Sequence, residues 1–364
     1  MLDPKRSDLV AGVAGAGTMG RGIAQVLAQC GARTLVFDAQ PGAARKAKDT
    51  IAQALGKLVE KGRVGAADAD QAVSRIEIAD SLEALAPCHV VVEAIVEDLA
   101  AKKSLFGTLE KSVSPDCILA SNTSSLSVTA MAAACKRPGR VAGYHFFNPV
   151  PVMKIVEVVD GERTEKWAGD ALVGLAQRFG HTPVRCKDTP GFIVNHAGRA
   201  FVPEALRVLS EGIADFATID RILVDAAGFR IGPFGLMDLV GLDIANHVGE
   251  ELRLAPDTDN VLSSLVRQGK LGKKTGKGFY MWDKGKPKRE EVSYDPAELE
   301  RLGRELMKPM LDEAERALED NIVANADHVD AGVIFGTGFA PFRGGPLHYR
   351  RTHGQAAEAT AAAA

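Results

Sequence analysis

The chain has 364 residues, 46% of them hydrophobic and 25% charged, more than one hydrophobic core usually supports, so two or three domains are expected. A formal net charge of -3 gives no global attraction to nucleic acid or an anionic membrane, and any phosphate-bearing ligand has to be held by local groups. Five cysteines (Cys30, Cys88, Cys117, Cys135, Cys186) make an odd count without CxxC or metal-ligand spacing, which argues against a disulfide framework or a metal site and predicts small core residues in a reducing compartment.

"MLDPKRSDLV" carries charges and a proline where a secretion signal needs an apolar stretch, and no run approaches transmembrane length, so the expected location is the cytoplasm. "DLVAGVAGAGTMGRGIAQVLAQCGARTLVFD" then reads as an apolar strand, a glycine turn, a helix with apolar spacing and a second strand ending at Asp38, which is a βαβ unit. The alternation continues with a helix from about Ala43 to Gly62, a strand over 89–95, a helix from Asp98 to about Val113 and a strand in "CILASN". Further strands are expected in "RVAGYHF", "VMKIVEVV" and, after a helix near 165–179, "HTPVRC". Runs apolar on both faces, such as Val90, Val91 and Val92, suit a sheet covered on both sides by helices. Residues 1–187 therefore predict a doubly wound α/β domain of Rossmann type.

From "DTPGFIVN" onward the strand pattern stops and helical periodicity takes over, in segments such as "AGRAFVPEALRVLSEG". The charged stretch "DKGKPKREE" (283–291) reads as a solvated linker, and the low-complexity end (351–364) as a disordered tail. The helical part also repeats itself: "EALRVLSEGI" (204–213) resembles "EAERALEDNI" (313–322), and "GFRIGPFG" (228–235) resembles "GFAPFRGG" (338–345). Offsets of 109 and 110 in preserved order predict an all-α C-terminal region of two related helical subdomains, 188–288 and 289–350.

In "GAGTMG", Gly15, Gly17 and Gly20 form a GxGxxG between a strand and a helix, the context that a dinucleotide site requires. Gly15 allows the tight turn, Gly17 a close approach of backbone to pyrophosphate, and Gly20 close helix–strand packing, with Thr18 and Met19 on the first helical turn beside the anion. Asp38, eighteen residues after Gly20, is placed to accept bonds from adenosine ribose hydroxyls and to repel a 2′-phosphate, which favours NAD over NADP. A helix cap for the segment after it is the competing reading of Asp38, and neither Arg33 nor Arg45 is an obvious phosphate clamp.

With "VEAIVEDLAAKKSLFGTLE", "ASNTSSLSV", "GYHFFNPVPVMKIVEVV", "KDTPGFIVN" and "GKKTGKGFY" following in order, the chain resembles the 3-hydroxyacyl-CoA dehydrogenase family over roughly residues 8–350. Its second helical repeat resembles the long bacterial forms, including the dehydrogenase half of multifunctional fatty-acid oxidation proteins, from which it is expected to depart in lacking the hydratase half, since only a few residues precede the first strand. The resemblance implies a catalytic pair, His145 and Glu157, supported by Ser124 and Asn195. It further implies that Glu97, Lys102 and Asn122 line the nicotinamide half of an NAD site; the expected substrate contacts are Ser124, Asn148, Asn195 and Lys61.

Oxidising a secondary alcohol with NAD requires hydride loss and proton loss at one carbinol. Histidine suits the proton transfer because imidazole titrates near neutrality, and a positioned base typically contributes about 10² to 10⁴ in rate. A carboxylate on the other ring nitrogen fixes the tautomer and stabilises the imidazolium. The twelve residues from His145 to Glu157 fit a strand, a turn through "NPVP" and a return strand, although a lone histidine is more often a packed side chain. Glu157 inside an apolar strand is harder to read as structural, because an unpaired buried carboxylate is costly. By residue type alone Ser124 can be a helix cap and Asn195 a structural amide. Phe146 and Phe147 are expected to pack an interdomain seam and keep the site dry.

Coenzyme A carries several negative charges, for which Lys57, Lys61 and Arg63 are candidates, against the reading of a solvated helix face. Lys273, Lys274 and Lys277 form a basic loop that reads as structural. The expected activity is NAD-dependent oxidation of (S)-3-hydroxyacyl-CoA to 3-oxoacyl-CoA, in fatty-acid β-oxidation or butanoate-type metabolism. Two alternatives stay open: a 3-hydroxyadipyl-CoA dehydrogenase of aromatic-acid (phenylacetate) catabolism, since "FDAQPGAA" resembles that subgroup, and a non-catalytic NAD-binding relative, which has no need for all four site residues. The substrate partner is an acyl-CoA thioester, with no nucleic acid, membrane or metal. Monomer and homodimer are both open, as is a working partnership with a hydratase and a thiolase. Arg304 aligns with Asn195, so the second repeat lacks the site amide.

Overall fold

The structure, a computed structural model, describes residues 2–251, 260–289, 292 and 295–352. It divides into two compact units, Met1–Phe192 and Ile193–Ala364. The division falls five residues beyond the change of pattern seen after residue 187.

In chain order the first unit contains β1 (Val10–Ala14), α1 (Thr18–Gln29), β2 (Arg33–Phe37), α2 (Ala43–Glu60), α3 (Ala66–Ser74), β3 (Ile76–Ile78), β4 (Val90–Glu93) and α4 (Leu99–Ser112). It continues with β5 (Ile118–Ser121), α5 (Val128–Ala132), β6 (Val141–Phe146), β7 (Ile155–Asp160), α6 (Lys166–Arg178) and β8 (Thr182–Lys187). The eight strands form one sheet in the order β3-β2-β1-β4-β5-β6-β7-β8. Every neighbouring pair is parallel except β6 and β7. That exception follows from the connection, because the short turn between β6 and β7 leaves no room for the crossover that a parallel pair needs.

Val90 and Val92 join Ile23, Leu27 and Ile118 in the main core cluster, while Val91, also buried, points to the opposite face. Burial on both faces is why this strand is continuously apolar rather than alternating. Asp98 starts α4 by accepting a bond from Ala101 N at 2.7 Å. All five cysteines are free thiols, four of them buried, and burial pushes the Cys88 thiol up to about 12 and Cys135 up to about 11. These are the small core residues expected of them.

The second unit contains α7 (Phe201–Ser210), α8 (Phe216–Ile222), α9 (Pro233–Val240), α10 (Leu242–Glu251), α11 (Val261–Arg267), β9 (Met281–Asp283), β10 (Lys286–Lys288), α12 (Pro296–Glu319) and α13 (Ala326–Thr337). Strands therefore do not stop where the helical pattern begins. The expected linker over 283–291 is, in its described part, an antiparallel hairpin closed by Lys284 and Gly285, both with positive φ (46° and 79°). Such a two-residue turn matches the twist of its strands, and the density of lysine hid it. Residues 290 and 291, and the tail from 353 on, lie outside the described residues.

The duplication has structural counterparts. Asp215 caps α8 through Thr218 N at 2.7 Å, and Asn325, 110 positions on, caps α13 through His328 N at 3.1 Å. Asp220 accepts from Phe234 N and Gly235 N, both at 2.8 Å, and Asp330, again 110 on, accepts from Leu347 N at 2.7 Å and His348 N at 3.2 Å. Gly212 (φ 69°) follows α7 as Asn321 (φ 55°) follows α12. Asparagine is among the few other residues that tolerate the left-handed region, so the geometry is kept where the glycine is not. Arg304 pairs with Glu300 on the exposed side of α12.

Candidate active site

The site grows from the carboxyl ends of the parallel strands. In register across the sheet, Phe37 lies beside Ala14, Ala14 beside Glu93, Glu93 beside Ser121 and Ser121 beside Gly143. Strand order reverses at β1, which has β2 on one side and β4 on the other, and ligands of open α/β sheets sit outside the strand ends at such a switch point.

After Ala14 the chain turns through Gly15, whose φ of 105° excludes a side chain and whose added Cβ would run into the Ala94 carbonyl. A Cβ on Gly20 would run into the Gly15 carbonyl oxygen, so turn and helix pack too closely for any other residue. At Gly17 a Cβ would meet nothing within 4 Å, and α1 begins there with no side-chain cap and no acid in its first turn. Amide donors, the positive helix end and open space above Gly17 fit a pyrophosphate, with exposed Thr18 and half-buried Met19 on that first turn. The Asp38 carboxylate accepts from Ala16 N at 2.7 Å and Gln40 N at 2.8 Å, tying the end of β2 to the glycine turn. It does not cap α2, whose N-cap is Gly42. Arg33 is taken up by Glu77 at 2.8 Å.

Beyond β4 and β5 lies a charge cluster of which the sequence reading singled out only part. Lys102, 1% exposed, bridges Glu93 at 2.6 Å and Glu97 at 3.0 Å. Glu93, 0% exposed, is saturated by Lys102, by Ser121 Oγ at 2.5 Å and by Ile95 N at 2.7 Å. Glu97 accepts from Thr123 Oγ1 at 2.5 Å and Ser124 N at 2.9 Å. Desolvation pushes the Glu97 carboxyl up, but the Lys102 charge and the Thr123 and Ser124 bonds outweigh it and hold Glu97 below the usual carboxylate range. Asn122 Oδ1 accepts from Phe146 N at 2.8 Å, joining the end of β5 to β6 one residue past His145.

His145 and Glu157 are register partners on β6 and β7, and their side chains meet with Nδ1 to Oε2 at 2.6 Å. Both are buried, His145 6% and Glu157 0% exposed. The antiparallel return expected from the twelve-residue spacing is what brings them together. The Phe147 ring centroid lies 4.4 Å from that of His145, and the Phe192 centroid 5.8 Å away. Phe192 has φ 53°, a strained conformation for a bulky residue beside a candidate base, and nothing in the local sequence marks it. Phe146 does not face a seam. It packs in the core of the first unit, with its ring centroid 4.8 Å from Tyr144, because alternation along β6 turns it away from His145.

Ser124 is half-buried, and the cap of α5 is Ser127 rather than Ser124. Asp188, another residue no local pattern marks, accepts from Ser127 Oγ at 2.8 Å and Thr129 N at 2.7 Å. Asn195 is buried in the turn-rich segment that opens the second unit. Lys61 is exposed just past α2, and Asn148 is exposed in the β6–β7 turn. The basic loop is structural, as expected: Lys274 pairs with Asp243 at 2.5 Å, and buried Asp238 gathers Phe279 N, Tyr280 N and Trp282 Nε1 at 2.8–2.9 Å.

A dinucleotide turn, a strand-order switch point and a buried His–Glu pair define the class of nicotinamide-dependent dehydrogenases. Residues 10–189 match the family model "3-hydroxyacyl-CoA dehydrogenase, NAD binding domain", and residues 191–282 match "3-hydroxyacyl-CoA dehydrogenase, C-terminal domain". The chain belongs to the 3-hydroxyacyl-CoA dehydrogenase family, and its cofactor is NAD. It is 36% identical over 366 residues to the fatty acid oxidation complex subunit alpha of Idiomarina loihiensis, covering 94% of this chain and 50% of that protein. It is 43% identical over 278 residues to 3-hydroxyadipyl-CoA dehydrogenase of Escherichia coli, covering 74% of this chain and 58% of that one. The chain thus spans about half the length of the curated relatives it matches. Among solved structures, 3-hydroxybutyryl-CoA dehydrogenase from Escherichia coli K12 superposes with a TM-score of 0.86 at 30% identity, covering 95% of this chain and 92% of that one. Among the described residues no helix is long and apolar enough to cross a membrane.

Proposed function

We propose that the protein oxidises (S)-3-hydroxyacyl-CoA to 3-oxoacyl-CoA in the cytoplasm, within fatty-acid β-oxidation or butanoate-type metabolism. The observation that carries this reading is the buried 2.6 Å contact between His145 Nδ1 and Glu157 Oε2. It directs the other ring nitrogen, Nε2, away from the carboxylate and toward substrate, the arrangement of an oriented general base.

NAD, when bound, supplies the hydride acceptor. His145 takes the carbinol proton at Nε2, and Glu157 holds the tautomer and stabilises the imidazolium. Ser124 and Asn195 hold the substrate oxygen by hydrogen bonds, with Asn148 and Lys61 as further substrate contacts. Gly15, Gly17, Thr18, Met19 and Gly20 seat the pyrophosphate, Asp38 selects the unphosphorylated ribose, and Glu97, Lys102 and Asn122 set the nicotinamide end. Residues 1–187 serve as the NAD-binding domain and 188–288 as the first helical domain. The repeat over 289–350 is structural, consistent with Arg304 standing where Asn195 stands in the first. A hydratase would supply the substrate and a thiolase consume the product, with the protein acting as monomer or homodimer.

The test is NADH consumption with acetoacetyl-CoA, run in parallel with NADPH. Fast turnover specific for NADH is expected, and His145→Gln should abolish it while NADH still binds. Substantial turnover by that variant sinks the assignment of the base.

A further inference from the structure

Among the described residues, three other than glycine have a positive φ: Phe192 (53°), Lys284 (46°) and Asn321 (55°). Lys284 sits in an exposed hairpin turn, and asparagine is a residue type that tolerates this region. Phe192 is neither case, being bulky and 1% exposed. A left-handed backbone is costly for such a residue and persists only where its surroundings hold it there. Gly191, immediately before it, adopts φ 76° without strain. A glycine at 192 would relieve the turn in the same way, so what the chain keeps against the strain is the side chain.

The segment that presents this side chain lies within the first unit and is anchored at its start. Asp188 N donates to Asp160 O at 2.9 Å, where β7 ends beside β8, and the Asp188 carboxylate accepts from Ser127 Oγ, Val128 N and Thr129 N at 2.7–3.1 Å. Phe192 N then donates to Thr189 O at 2.9 Å, closing the turn. The ring so delivered has its centroid 5.8 Å from that of His145 and is tilted 58° to it, while Phe147 lies at 4.4 Å with a tilt of 53°. Glu157 fixes only one atom of the imidazole, Nδ1. Rotation about the bond from Cβ to the histidine ring is a broad torsion, so the tilt of the ring, and with it the aim of Nε2, is set by what packs against the ring.

We propose that Phe192 is a positioning residue for His145: its strained backbone is retained because it holds the phenyl ring against the imidazole, fixing the direction of Nε2 and keeping water from the ring. This role rests on His145 acting as the base proposed above. It requires no contact between Phe192 and substrate, so its loss should appear in kcat and not in KM.

The experiment measures oxidation of (S)-3-hydroxybutyryl-CoA by NAD, together with thermal unfolding, in the wild type, Phe192→Gly, Phe192→Ala, Phe192→Leu and Leu175→Ala, the last a truncation in the core of the same unit on α6. Phe192→Gly should lower kcat by about 10- to 100-fold, with both KM values within about twofold of the wild type. Phe192→Leu, which restores most of the bulk, should recover kcat to within about fivefold of the wild type, and it decides the matter if the smaller variants do not fold. Leu175→Ala should lower the melting temperature but leave kcat within about twofold. Phe192→Gly should melt a few degrees above Phe192→Ala, the reverse of the usual order, because only glycine adopts this φ freely. Combined with Glu157→Gln, Phe192→Gly should lower kcat by less than the product of the two single losses, since both act through the same ring. Unchanged kcat in Phe192→Gly and Phe192→Leu, a raised KM with intact kcat, an equal kcat loss in Leu175→Ala, or losses that simply multiply would overturn the proposal. A Phe192→Ala variant that melts above Phe192→Gly would remove the strain on which it stands. If the wild type shows no turnover with NAD, the dehydrogenase reading itself fails and takes the role of Phe192 with it.

Discussion

Replacing Glu157 by glutamine keeps the shape of the His145 partner and removes its charge. The amide oxygen can still accept from Nδ1, so the ring should hold its place, but the imidazolium formed as His145 takes a proton loses a carboxylate 2.6 Å away. A hydrogen bond to a charged group contributes about 1.5–3 kcal/mol, and both partners here are buried, where solvent screens little. Because the charge on His145 develops during the reaction, the loss should fall on the transition state, lowering kcat by about 10- to 200-fold with KM nearly constant. Steady-state kinetics with (S)-3-hydroxybutyryl-CoA and NAD, NADH binding by fluorescence and thermal unfolding together test this. NADH affinity should stay within about twofold, and the melting temperature should move little, since the new side chain is neutral and isosteric. A raised KM with intact kcat, or weakened NADH binding in step with the activity loss, would refute the orienting role.

The Glu93–Lys102–Glu97 cluster predicts an asymmetry. Lys102→Met strands Glu93 without its cation and should cost about 3–5 kcal/mol in urea unfolding, whereas Glu93→Gln leaves Lys102 paired to Glu97 and should cost about 1–3 kcal/mol; equal costs would contradict the cluster geometry. Asp38→Ala should weaken NADH binding about tenfold and narrow its margin over NADPH in fluorescence titrations, and an unchanged margin would remove Asp38 from cofactor selection. Burial holds the Asp220 carboxyl up to about 6, against an ordinary value near 3.8, so from about pH 4 to 6 the folded protein keeps a proton that the unfolded chain has released. The stability from this group is therefore present at pH 4 and lost as pH rises through 6, by about 3 kcal/mol. Asp220→Asn should flatten that part of the unfolding profile measured by denaturant titration; an unaltered slope would refute the assignment.

Much of this molecule can be read along the chain because its signals are local. The glycine spacing at Gly15, Gly17 and Gly20 and the doubly apolar run at Val90–Val92 each depend on a few neighbouring residues and on the periods of helix and strand. The His145–Glu157 pair was singled out by the family resemblance, and the twelve residues around a proline turn are compatible with the antiparallel return that joins them. The Lys284–Gly285 hairpin was also local, but its charge looked like that of a solvated linker.

Tertiary structure decided what depends on positions far apart in sequence. Glu93 looks like one more strand residue until strand order sets Ser121 beside it and α4 brings Lys102 over it. Asp188 gains its meaning only from Ser127 and Thr129, some sixty residues earlier. The left-handed backbone of Phe192 carries no local mark at all. Composition and period determine which segments form strands and helices and which face each one buries, because those preferences arise within a few residues. Whether a buried charge meets a partner depends on which distant segments the sheet order and helix packing bring together, and no short-range pattern contains that information.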